Sequence, residues 1–156
     1  MQARSKLNDF MSIQCFKAAI KGMEELLTVE GAAAAMIAAG RIRGQELASE
    51  TGLAGTKPTP EELQAKMNKA IGVEGTRLCM IREISKKDDG SFLVKAEETV
   101  CSAGEPSGST RKCTFTLGAI TACVEEAYGI KLTAKQVASV LSGSQTDDFL
   151  LTPYNG

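Results

Sequence analysis

The side chains able to do chemistry in this 156-residue chain are thiols and carboxylates, because it contains no histidine. That absence removes the usual acid–base group near neutral pH and the commonest metal ligand. Ser-His-Asp and Cys-His catalysis, and a histidine-ligated haem, are thereby excluded. Five cysteines remain, at positions 15, 79, 101, 113 and 123, an odd number without a Cys-x-x-Cys pair. Such a set does not read as a disulfide framework and fits a reducing cytoplasm. Cys113 follows Arg111 and Lys112 and opens a helical segment, surroundings that lower a thiol pKa and suit a nucleophile. No partner base accompanies it, so a buried, structurally placed cysteine is expected and no catalytic residue is assigned.

The carboxylates come in pairs: Glu24-Glu25, Glu61-Glu62, Asp88-Asp89, Glu97-Glu98, Glu125-Glu126 and Asp147-Asp148. Each pair falls at a helix start, a turn or a solvent face, and none is expected to form the opposed carboxylates of a glycosidase. The stretch from Gly104 to Lys112 has the wrong glycine spacing for a phosphate-binding loop, and no dinucleotide-binding glycine motif occurs. The expectation is a protein without cofactor and without turnover. A net charge of −1 and aromatic residues at 4% leave no footprint for nucleic acid. No apolar run is long enough to span a membrane, and charges scattered through residues 1–27 break any signal-peptide core.

The elements that hold these groups follow from periodicity. Leu7, Phe10, Ile13, Phe16, Ile20, Met23 and Leu27 recur at spacings of three and four, which predicts a long amphipathic helix. An alanine-rich helix follows, carrying Gly40 and Gly44 on one face, where a close backbone approach explains residues that otherwise weaken a helix. Thr59-Pro60-Glu61-Glu62 is a helix start, with Leu63, Met67, Ala70 and Ile71 as the buried stripe. Beyond Gly72 the period changes. Residues 77–84 and 91–100 read as a hairpin turning at Asp89-Gly90, and the polar loop 101–110 is long enough to be mobile or to act as a lid. A helix from Cys113 to Tyr128 stops at Gly129. Residues 133–141 conflict: Thr133 to Gln136 reads locally as a capping box opening a helix.

The run from Cys113-Thr114-Phe115 through Gly118, Gly129 and Gly143 to Phe149 resembles the C-terminal half of the 4-vinyl-reductase domain family. These are the small-ligand, hydrocarbon-binding relatives of TRAPP vesicle-tethering subunits. The Gly40-Arg-x-x-Gly44 segment looks like that family's N-terminal helix and extends the resemblance over most of the chain. The resemblance implies one α+β domain over 1–156, helices on one face of an antiparallel sheet. Residues 1–72 form its helical part; 73–156 form the hairpin, the last helix and two closing strands, so 133–141 is expected as strand. It implies a homodimer through Gly40 and Gly44, and an enclosed pocket for a small apolar ligand, with Met80, Phe92 and Phe115 as lining residues. Zinc-bearing members use the opening cysteine, a downstream acid and two more cysteines. Matched position by position these become Cys113, Ala134, Ser139 and Asp147, so only Cys113 is kept, Asp147 offers oxygen in place of sulfur, and no metal is expected. Sensing, carriage or assembly is the implied output, beside tetrapyrrole metabolism by the family's name. With neither histidine nor tryptophan, phenol sensing is not carried over. The competing expectation is a ligand-free dimeric scaffold.

Overall fold

In a computed structural model, which describes residues 12–154, the chain runs as helices followed by a sheet with one helix inserted. Helix α1 (Ile13–Leu27) starts at Ser12, whose hydroxyl accepts from the Gln14 N–H, and turns Ile20 into the core. Leu7 and Phe10 of the predicted stripe lie outside the described residues. Thr28 ends α1 and caps α2 (Val29–Glu50): it stands at φ 95°, and its hydroxyl accepts from the Gly31 N–H. A β-branched residue at positive φ is strained, so the cap and the packing on either side fix this corner against local preference. Helix α3 (Pro60–Ile71) opens with the full capping box between Thr59 and Glu62 and buries Leu63, Met67 and Ile71.

Strands β1 (Met80–Lys86), β2 (Phe92–Glu97), β3 (Leu132–Ala138) and β4 (Asp147–Pro153) pair antiparallel in the order β1-β2-β4-β3. The expected hairpin turn is present, with Gly90 at φ 79° and Ser91 bonded back to the Asp89 carboxylate. Alternation, with a pairing slip between Ile81 and Glu83, turns Ile81, Ile84, Phe92, Val94, Ala96, Phe149 and Leu151 to the buried face. On the other face Glu83 and Lys95, direct cross-strand partners, pair at 2.8 Å. The fold class is thus α+β. The Asn68 amide of α3 donates to the Ile81 carbonyl at 2.7 Å and accepts the Ile81 N–H at 2.8 Å, while Gln64 donates to the Arg82 carbonyl. The pairing slips between Ile81 and Glu83, and again between Gln136 and Ala138.

Residues 132–138 are strand, and a short 3-10 turn follows at Val140–Ser142. The local helix signal loses because β4, with Phe149 and Leu151 fully buried, needs backbone partners on both sides. Helix α4 (Thr114–Tyr128) packs between the sheet and α2, ending as predicted at Gly129 in the left-handed region, φ 67°. The α2–α4 crossing is closed by three glycines. A Cβ on Gly40 would stand 2.1 Å from the Phe115 carbonyl oxygen, one on Gly44 2.3 Å from that of Ala119, and one on Gly118 2.2 Å from that of Ile37. The predicted close approach is therefore made inside the chain. This corrects the residues assigned to a dimer contact: Gly40 and Gly44 are covered by α4 and present nothing to a second copy. The buried Glu125 of α4 ties the layers, pairing with Arg41 of α2 and accepting the Leu132 N–H of β3 at 2.8 Å.

Candidate functional site

Space is left where α1 crosses α2. A cavity of about 250 Å³ lies between these helices, residues 109–112 and the first residue of α4. Its apolar wall is Ile20, Val29, Ala32, Ala33 and Met36; its polar side carries Glu24, Ser109, Thr110, Arg111, Lys112 and Thr114, with Cys101 in the lining. Alanines on α2 explain the room, since a larger side chain there would fill it. Ion pairs hold α1 in place. Lys17 donates to the carbonyls of Cys101 and Ala103, at 3.2 and 2.7 Å, and pairs with Glu105. Arg111 bridges Glu24 and Glu105 at 3.0 Å each. The bond from Lys17 holds the Glu105 carboxyl below the usual carboxylate range. Residues 101–110 are thus bound down against α1, and the lid expectation gives way to a pinned segment, with the Gly108 N–H also donating to the Leu141 carbonyl at 2.7 Å.

Beneath the cavity is a buried polar cluster. Asp147, with no exposed surface, accepts from the Thr99 and Ser102 hydroxyls at 2.7 and 2.8 Å on one oxygen, and from Gln136 Nε2 and the Val140 N–H, both at 3.1 Å, on the other. The same two hydroxyls stand 3.3 Å from Cys113 Sγ. Gln136 accepts the Cys113 N–H at 2.9 Å, serving the start of α4 that has no side-chain cap of its own. Cys101, buried and in the cavity lining, neighbours this group in the chain between Thr99 and Ser102. Cys113, with the N–H groups of Thr116 and Phe115, draws the Cys101 thiol below its ordinary range against the opposing effect of burial. The Thr116 hydroxyl is buried without a hydrogen-bond partner. Cys113 is driven the other way, above its ordinary range, because its proton is shared with Cys101 and because it is buried. Thr99 and Ser102, having given their protons to Asp147, have none left to offer a Cys113 thiolate.

The sequence-derived residues separate accordingly. Cys113 and Asp147 do come together, linked by Thr99, Ser102 and Gln136. Both Asp147 oxygens are already occupied, and among the described residues no three Cys, Asp, Glu or His side chains are arranged around a common metal position. This donor set does not fit zinc; a hydrogen-bonded plug stands in that place. Cys113 is buried, as expected, and its thiol is raised above its ordinary range despite the flanking basic residues. Nor are all acidic pairs solvated, since Asp147 and Glu125 are both buried. Met80, Phe92 and Phe115 are not brought together, and none lines the cavity. Met80 borders open grooves between α3 and β1, Phe92 is packed on Tyr128 in a filled interior, and Phe115 meets Phe16 edge-on at 5.3 Å. The last third of the chain closes a solid sheet–helix interface, and the hollow lies on the other side of α2. Cys101 and the alanines carried no distinguishing sequence signal; Arg111 did, through its place beside Cys113.

No family model matches the chain, and no curated protein matches it in sequence. Solved structures do resemble it. The phenol-responsive sensory domain of the transcription activator PoxR, with phenol, superposes at a TM-score of 0.70 with 13% identity, over 92% of this chain and 75% of that one. A trafficking protein particle complex subunit 3 from Naegleria fowleri, covalently bound to palmitic acid, superposes at 0.61 with 9% identity, over 91% and 92%. At such identities the likeness establishes the fold, which is TRAPP-like.

Proposed function

We propose that the chain is a binding module for a small, compact, mostly apolar ligand with a polar end, acting as sensor, carrier or assembly factor and not as an enzyme. The observation that carries this is the cavity between α1 and α2, apolar on the α2 side and edged by Arg111 and Lys112. Sites of this type combine an apolar lining with few oriented polar groups. Support comes from the two similar structures, one with phenol and one with palmitic acid. At about 250 Å³ the space suits a single ring or a short chain and not a four-ring macrocycle, so any place beside tetrapyrrole metabolism would be as a partner in assembly. Among the described residues no helix is long and apolar enough to cross a membrane.

Native mass spectrometry of freshly purified protein tests the reading, followed by thermal shift with single-ring and short-chain carboxylic acids. A ligand that prefers the native state stabilises it by RT ln(1 + [L]/Kd). A bare chain with no shift across the series would end the proposal. A second reading, a homodimeric scaffold, is favoured by the exposed Leu26, Leu27 and Val29 at the α1–α2 corner, which a second copy would cover. Light scattering that returns a monomer at high concentration removes it.

A further inference from the structure

The place where the cavity could hold an anion is already filled, and by the chain itself. Arg111 grips the Glu24 carboxylate with two parallel bonds, Nη1 to Oε1 at 2.5 Å and Nη2 to Oε2 at 3.0 Å. That fork is the strong geometry for recognising a carboxylate. Both side chains line the cavity and both are largely covered, at 16% exposure for Arg111 and 25% for Glu24. Lys112, a second cation in the same lining, makes no ion pair among the described residues. Thr114, also in the lining, begins α4, which has no side-chain cap. The lining thus carries two cations against one acid, and Glu105, which faces Arg111 Nε at 3.0 Å, lies outside it.

The acid in that fork belongs to a lightly buried helix. Of the 15 residues of α1 only Ile20 is buried, and a Cβ on Gly22 would meet nothing within 4 Å. Lys17 ties the helix down near its start and Glu24 near its end. Just beyond Glu24 the chain turns into α2 through Thr28, strained at φ 95°. We infer, resting on the ligand-binding reading, that the cavity takes a ligand bearing a carboxylate, which displaces Glu24 from Arg111 and so loosens α1. An incoming carboxylate can use the two Arg111 donors only after Glu24 has left them. Its preference for the loosened state is therefore the bond to the fork itself, and a population shift requires such a preference. Lys112 tips the exchange, since the ligand can engage it where Glu24 does not. Without the Glu24 tie, α1 is held by Lys17 alone, and its last turns move about the strained Thr28.

Calorimetric titration of the full chain with benzoate and hexanoate, each against its neutral amide, reads the role of the charge. Hydrogen exchange with and without saturating benzoate reads the response of α1. The acids should bind about tenfold more tightly than benzamide and hexanamide, or better. Benzoate should speed exchange across residues 20–27 by about threefold or more while α4 stays protected. Glu24→Gln keeps the size of the side chain and weakens its hold on Arg111. That variant should bind benzoate about fivefold more tightly and show the faster exchange with no ligand added. Should it not fold, the acid–amide comparison and the exchange of the unaltered chain still decide. Amides that bind as tightly as the acids overturn the inference and leave the binding reading standing. Acids that bind while α1 exchanges no faster do the same. Where acids and amides alike fail to bind, the two fall together.

Discussion

Helix α2 meets its two helical neighbours in opposite ways. Toward α4 it presents Gly40 and Gly44, and the backbones close until a single Cβ would strike a carbonyl. Toward α1 it presents Ala32 and Ala33, residues nearly as small, yet a cavity remains. Small side chains therefore do not by themselves decide between contact and void; what decides is whether the opposing element is free to approach. Glycines on both sides of the α4 crossing, with Gly118 answering Gly40 and Gly44, let it close. Helix α1 is instead anchored by Lys17 and Glu24 to residues 101–111, and that anchorage keeps the space above Cys101 open.

The largest effect belongs to the closed crossing. Gly118→Ala puts a methyl 2.2 Å from the Ile37 carbonyl oxygen and should cost about 4 kcal/mol or more by urea denaturation, with a wild-type-like midpoint refuting close contact as the basis of this side. Asp147→Ala comes next. It strips the acceptor from Thr99, Ser102, Gln136 and the Val140 N–H, and a loss of about 3 kcal/mol is expected in the same assay. Lys17→Met should lower stability by only about 1 kcal/mol, yet raise hydrogen exchange in α1 while leaving α4 protected; equal exchange in both helices would show that α1 is not held by its ion pairs. Ala33→Phe, directed into the open side, should change stability by less than about 1 kcal/mol and abolish any ligand-induced thermal shift.

The smallest effect is read in the thiols themselves. Burial pushes Cys79 and Cys123 up to about 12. Both are raised above the unfolded value of about 8.5, so their contribution is complete below that pH and is lost as pH rises toward 12. Cys101 has the opposite sign. Its folded pKa is depressed, so its contribution is present above the unfolded value and declines as pH falls through the lower folded one. Thiolate absorbance should accordingly appear first at Cys101, and a Cys101→Ser chain should lose that early step alone.

Much of the framework was legible because it is written locally. The Thr59 capping box, the Gly90 turn and the Gly129 stop each satisfy backbone groups within a few residues, and each occurs where the sequence puts it. Residues 133–136 show the limit: their capping signal is equally local, but β4 supplies a partner from later in the chain and overrules it. The site was less legible for the same reason. Asp147 looks like half of a solvated acidic pair until Thr99 and Ser102, some 45 residues earlier, fold over it. Cys113 looked activated by Arg111, yet Arg111 turns to Glu24 and Glu105, and the thiol that gains is Cys101. Gln136, which joins the start of α4 to β4, is marked in the sequence only as the end of a capping box that does not form.

The two slips in strand pairing fall on the outer strands, β1 and β3, while the central β2–β4 ladder runs without interruption. On β1 the irregular stretch is further occupied by the amides of Asn68 and Gln64. Neither margin offers an incoming chain an unbroken row of donors and acceptors, which is the surface that ribbon-like aggregation requires. Crowded copies of this protein are thus steered away from stacking edge to edge.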